Sequence, residues 1–181
     1  MLDCRCTAGY PLYEPRPDSR PSTEYWKKGV RIGDVGIVTK DGIFDFLFNV
    51  CPSQNPSINP SELPDDFEAL ECPQIRVMEH HFKTQTHLFN NTVNRIEEPG
   101  VRYKCLGPEG AILELPAGAT LFEAKNSLSF KGLASRHAEK WYRYTIVTQG
   151  RDTPNGSLYL VTSCIKCTHW GIAVFDRPSA S

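Results

Sequence analysis

The chain of 181 residues has no apolar run of the ~18 residues that a bilayer-spanning helix needs, so no helix is expected to cross a membrane. It also has no excess of one charge. Twenty Lys and Arg stand against 21 Asp and Glu, a formal net charge of −1, so there is no positive field and no strong nucleic-acid signal. The N-terminus, MLDCRCTAGYPLYEP, has neither a basic start nor an apolar stretch. It does not read as a secretory signal, and the expectation is a cytoplasmic protein. There is no internal repeat, no low-complexity tract, no Ser-His-Asp order, no nucleophile elbow and no phosphate loop. In RIGDVG, Gly33 and Gly36 fall in a strand-like run with no helix opening after them, so a dinucleotide fingerprint fails on context. An even number of cysteines is missing too. Cys4, Cys6, Cys51, Cys72, Cys105, Cys164 and Cys167 make seven, in a chain long enough to bury a core without staples. Reduced thiols in a reducing compartment follow more naturally than a secreted disulfide framework.

Several elements can be read from the chain itself. Pro11, Pro15, Pro17 and Pro21 forbid a long helix, so residues 1–28 read as an extended, proline-rich arm. Tyr10, Leu12, Tyr13, Tyr25 and Trp26 give this arm apolar surface with which to pack. DVGIVTK, then Asp41-Gly42, then IFDFLFNV predicts a β-hairpin with a two-residue type I′ turn. Phe44, Phe46 and Phe48, at period two, are expected to bury one face of it, with Ile43, Asp45 and Leu47 mostly buried on the other. Residues 51–73 are proline-rich and read as a long surface excursion with a short helical turn at Asp65–Leu70. Strands are predicted at Gln74–Phe82, Tyr103–Leu106 and Ala111–Leu115, the last closed by Pro116-Ala117-Gly118.

The period then changes. Phe130, Leu133, Ala134, Ala138, Trp141 and Tyr142 recur at helical spacing, opposite Arg136, Glu139, Lys140 and Arg143. This is an amphipathic helix with Asn126 or Ser127 as its cap. Strands resume at Tyr144–Thr148, Ser157–Ser163 and His169–Phe175, with a turn region at Gln149–Gly156. The predicted fold is α+β and β-rich: a mostly antiparallel sheet, one amphipathic helix packed on it, and the proline-rich N-terminal arm. The expected division is an arm at 1–28, a single β-rich domain at 29–176 and a disordered tail at 177–181.

Three groups of residues invite chemistry. Cys164, Cys167 and His169, completed by Cys4 and Cys6, could hold zinc at a tetrahedral site, although C-x-C departs from the usual ligand spacing. His80 and His81 with Glu79, and His87 nearby, suggest metal or acid–base work. Adjacent strand residues point to opposite faces, however, so His80 and His81 do not serve one site. His137 sits at the edge of the helix's apolar face and reads as an interfacial histidine. Finally, Trp141, Arg143, Tyr144, Arg151 and Trp170 make a basic, aromatic-rich C-terminal third suited to a ligand surface, or to an ordinary sheet packed on a helix.

GYPLYEPRPDSR…YWKKGVRIGDVGIVTKDGIFDFLFNVCPS and AEKWYRYTIVTQGRDTPNGSLYLVTSCIKCTHWGIAVF carry a resemblance. The chain resembles an uncharacterised family of basidiomycete (mushroom-forming fungal) proteins with no assigned activity, most strongly over Gly9–Cys51 and Trp141–Phe175. The resemblance implies an intracellular fungal protein. Members of that family continue beyond the point matching Phe175, so the chain is expected to be a truncated product with an open sheet edge. The SCIKC stretch varies among them, which counts against zinc. The leading functional reading is a non-enzymatic, intracellular, β-rich module that binds a protein partner or a small ligand. The alternatives are a membrane-active or self-assembling domain, motivated by the apolar IFDFLFNV hairpin, and a zinc-binding protein using Cys164 and Cys167.

Overall fold

Among the described residues, eleven strands and one long helix account for most of the regular structure. The computed structural model describes residues 12, 23–52, 58–71, 73–97 and 99–176. In chain order the elements are α1 (Thr23–Lys28), β1 (Asp34–Val38), β2 (Phe44–Asn49), β3 (Ile75–Phe82), β4 (Thr86–Phe89), β5 (Val93–Ile96), β6 (Arg102–Cys105), β7 (Glu109–Leu115), β8 (Ala119–Ala124), α2 (Ser127–Arg143), a π-helical turn (Tyr144–Thr148), β9 (Leu158–Leu160), β10 (Ser163–Lys166) and β11 (Gly171–Asp176). Three sheets have three strands, in the orders β2-β1-β9, β10-β8-β3 and β11-β7-β4, and β5-β6 is a two-stranded ribbon. The fold is α+β and β-rich, with antiparallel sheets and one main helix. Of the proline-rich arm, the described part is Leu12 and Thr23–Lys28, and the latter is helical rather than extended because the prolines all precede it. The remainder of the arm and the tail at 177–181 lie outside the described residues.

The described residues divide into two compact units, a larger one within 12–77 and 122–164 and a smaller one within 78–121 and 165–176. The core of the larger unit joins the hairpin to α2. Val35, Ile37, Leu47, Phe48 and Val50 pack with Phe130, Leu133, Trp141 and Tyr144. The hairpin forms as its sequence demands, but its turn is different. Gly42 donates its N–H to Thr39 O at 3.0 Å, and Thr39 donates to Ile43 O at 2.9 Å. Gly42 alone in the loop has a positive φ, +75°, whereas a type I′ turn would require one at Asp41 as well. The loop therefore holds three residues, with glycine taking the left-handed position, and Thr39 Oγ1 accepts the Ile43 N–H at 3.2 Å.

A bulge changes the expected faces of β2. Val35 pairs with Phe48 while Gly36 pairs with Phe46, so Leu47 is an extra residue. The three phenylalanines consequently do not share one environment. Phe48 is fully buried and meets Phe67, Trp141 and Tyr144 edge-on at 5.6–6.0 Å, whereas Phe46 lies 4.4 Å from the Tyr25 ring. Both faces of β2 are enclosed, and even Asp45 is 6 % exposed. The apolar hairpin that motivated the membrane-active or self-assembling alternative thus spends its apolar side chains largely on the chain's own interior.

Asp34, at the start of β1, is wholly buried. Its carboxylate accepts from Tyr25 Oη at 2.9 Å, the Arg31 N–H at 2.7 Å and Asn49 Nδ2 at 2.7 Å. Burial pushes its pKa up to about 6 despite these donors, and burial with the nearby carboxylate also raises the Tyr25 phenol.

Helix α2 buries Phe130, Leu133 and Trp141 on the predicted stripe. Asn126 stands at its N-cap, but its side chain makes no capping bond. Its Oδ1 instead accepts the Gln74 N–H at 3.1 Å. Two predicted elements do not form. The β-branched run after Arg143 continues as a π-helical turn instead of starting a strand, with the Gln149 N–H bonded to Tyr144 O at 3.0 Å. One local and one tertiary bond favour this: Thr145 Oγ1 donates back to Trp141 O, one turn earlier in the helix, at 2.7 Å, and the Tyr144 hydroxyl donates to the distant Glu62 O at 2.8 Å. The segment Asp65–Leu70 makes a turn with Asp66 at φ +52° and no helix. It is held by Leu63, Phe67 and Leu70 packed on the core, and by the Leu70 N–H donating to Val50 O at 2.7 Å.

In the smaller unit β7 is the central strand, antiparallel to β11 and β4. Val93, Cys105 and Ile112 form its core with Tyr103 and Phe175 against them. Gly110 allows the ribbon to close on this core, since a Cβ there would stand 2.7 Å from both Cys105 Sγ and Val93 Cγ2. Strands β4, β5 and β8 carry too little alternation to be read from sequence.

Candidate functional site

The smaller unit brings two cross-strand pairs together. His87 on β4 lies directly opposite Glu114 on β7, and Arg95 on β5 lies directly opposite Tyr103 on β6. The Tyr103 hydroxyl joins the pairs. It donates to Glu114 Oε1 at 2.7 Å and is 2.7 Å from His87 Nδ1, while His87 Nδ1 and Glu114 Oε1 are 3.3 Å apart. Burial, then the bond to Glu114, raises the Tyr103 pKa to about 12, so the phenol keeps its proton. Arg95 interacts with the phenol and places Nη1 2.7 Å from Glu97 Oε1. Its Nε is buried without a hydrogen-bond partner among the described residues.

Beside this quartet is a half-open cleft of about 280 Å³ lined by Gln85, His87, Arg95, Val101, Glu114 and Pro116. Gln85 is held at φ +59°, an uncommon conformation for a residue with a side chain. A larger depression of about 440 Å³ follows Tyr103, Lys104, Cys105, Val174, Phe175 and Asp176. The smaller cleft is the better candidate because a hydrogen-bonded, partly buried polar group converges on it.

The other candidates are distributed differently. Trp141 and Tyr144 are core residues, 4 % and 3 % exposed, with their rings packed on Phe48. Arg143 is exposed on α2, Arg151 Nη2 is 3.4 Å from Asp45 Oδ2, and Trp170 belongs to the smaller unit. Cys164 is on β10, where its thiol contacts Val30 O at 3.8 Å, and burial raises the Cys167 thiol. His169 is exposed and 3.0 Å from Thr168 Oγ1, while Cys4 and Cys6 lie outside the described residues. Among the described residues no group of three His, Cys, Asp or Glu is placed to hold a metal ion. His80 and His81 are both exposed, His80 at φ +54° and His81 against the Phe82 ring. His137 is an interfacial residue, its Nε2 2.8 Å from Glu68 Oε2 and its ring stacked parallel to Trp141.

Sequence reasoning noted His87 only as a neighbour of His80 and missed Tyr103, Glu114, Arg95 and Gln85. The signal was weak: each is a single polar residue on a short strand, and only the register of two separate pairings aligns them. The architecture defines the class, an α+β, β-rich protein with a polar cleft in its smaller unit. No family model, curated protein or solved structure matches the chain. No described helix is long and apolar enough to cross a membrane.

Proposed function

We propose that this chain is a non-enzymatic, β-rich binding module that takes a small ligand in the cleft of its smaller unit. The observation that carries the reading is the convergence of His87, Glu114 and Arg95 on one cleft, with Tyr103 bonded to two of them. Such a set, braced by its own hydrogen bonds, presents fixed polar groups to a ligand at little cost in ordering. The volume suits a molecule smaller than drug size, since such pockets commonly start at about 300 Å³. The free thiols Cys51, Cys105, Cys164 and Cys167 support a reducing, cytoplasmic setting.

A fragment screen by two-dimensional NMR on the whole chain tests this. Saturable shifts are expected to concentrate on the amides of Gln85, His87, Val101 and Glu114. They should be lost in Tyr103→Phe, which removes the hydroxyl bracing the site, while the spectrum elsewhere stays folded. Fragment hits confined to other surfaces, or no saturable hit, would overturn the proposal.

A further inference from the structure

The ligand class follows from which hydrogen-bonding valences in the cleft are already used. The Tyr103 hydroxyl has one proton, and it goes to Glu114 Oε1. The short contact to His87 Nδ1 then requires that nitrogen to carry the hydrogen and donate it to the phenol oxygen. In the neutral ring Nε2 is left as an acceptor. Glu114 Oε2 is an acceptor as well. Neither atom has a hydrogen-bond partner among the described residues. The Gln85 side-chain amide, also on the lining, is without a partner there too. Among the described lining residues the cation is Arg95, which is engaged by Glu97 and Tyr103 and whose Nε is closed off from solvent. The unused valences of the facing pair are therefore acceptors.

Charge argues further. An anionic ligand would meet Glu114 on the lining, and a cationic one would meet Arg95. Neither sign is favoured, so a neutral molecule that offers donors fits best. Val101 and Pro116 add aliphatic surface for carbon-bound hydrogens, and the volume admits little more than one ring.

We infer that the cleft binds a neutral polyhydroxylated molecule of about one ring, a sugar or cyclic polyol, whose neighbouring hydroxyls donate to His87 Nε2 and Glu114 Oε2. This rests on the small-ligand reading above and specifies its chemistry.

The test is an NMR titration of the full chain with D-glucose, D-galactose, D-mannose and myo-inositol, beside cyclohexanol, acetate and methylammonium. At least one polyol is expected to shift the amides of Gln85, His87, Val101 and Glu114 saturably, and cyclohexanol, with a single hydroxyl, to leave them unmoved. Glu114→Gln keeps an oxygen for Tyr103 but replaces the second acceptor with a donor. It should weaken polyol binding about tenfold, the worth of one hydrogen bond to a charged group. His87→Phe, which keeps a ring without nitrogen, provides a second variant should the first misfold. Acetate or methylammonium binding at these amides while the polyols do not would overturn the ligand class and leave the cleft standing. Silence of every probe here, with fragment hits at the same amides, would also overturn the class alone. Silence in both experiments would remove the class and the binding site together.

Discussion

At the scale of single residues, Asp34 shows how burial and hydrogen bonding compete. Three donors hold its carboxylate, yet its pKa of about 6 stands above the usual 3.8, so desolvation outweighs them. The native state thus holds this proton to higher pH than the unfolded chain does. Stability from this group is greatest below about pH 4 and falls as pH rises through about 6, a cost of about 3 kcal/mol at neutral pH. Removing a donor sharpens that dependence. Tyr25→Phe is expected to destabilise the protein by about 1.5–3 kcal/mol at pH 7, because the lost bond goes to a charged, buried acceptor. The difference from the native protein should shrink below pH 5, where Asp34 is protonated. Urea unfolding at the two pH values checks this, and an equal loss at both would separate the Tyr25 hydroxyl from Asp34's ionisation.

At the scale of elements, the segment 58–71 is irregular yet firmly seated. Two kinds of tie hold it. On its wet side Asp66 pairs with Lys140, and Glu68 with Arg136 and His137. These hydrogen bonds lower both carboxyl pKa values, so that contribution is present at neutral pH and fades as pH falls through the lowered values, opposite in sign to Asp34. The pairs are exposed and screened by water and salt. On its dry side Phe67 meets Phe48 edge-on at 6.0 Å. Apolar contact is the stronger anchor. Phe67→Ala is expected to cost about 2–3 kcal/mol in denaturant unfolding and to speed exchange of the Leu70 amide, whose bond reaches Val50 O. Glu68→Gln should do much less. A reversed order would mean that the ion pairs hold the segment.

At the scale of the molecule, the two units differ in how much core each owns. Among the described residues, the larger has a cluster of twelve buried residues and the smaller a cluster of three. Local stability follows buried apolar contact, so native-state hydrogen exchange should report two levels. The β7 amides of Ile112 and Leu113 are expected to be at least about tenfold less protected than those of Val35 and Phe48. Uniform protection would show that the whole chain opens as one cooperative body. The candidate cleft lies in the unit with the smaller core, where ligand binding would add protection through mass action.

Local chemistry alone determined the β-rich class, the hairpin around Asp41-Gly42 and the amphipathic stripe of Phe130, Leu133 and Trp141, because alternation, turn residues and helical spacing act between near neighbours. It also identified His137 as interfacial. What it could not determine depends on distant partners. The bulge at Leu47 separates Phe46 from Phe48 through pairing with β1. The run Tyr144–Thr148, strand-like by its β-branched residues, continues the helix as a π-helical turn, and the Tyr144 hydroxyl is tied to the distant Glu62 O. The cleft is the clearest case. His87, Arg95, Tyr103 and Glu114 are ordinary polar residues in sequence, and two cross-strand registers with one phenol bridging them make them a site.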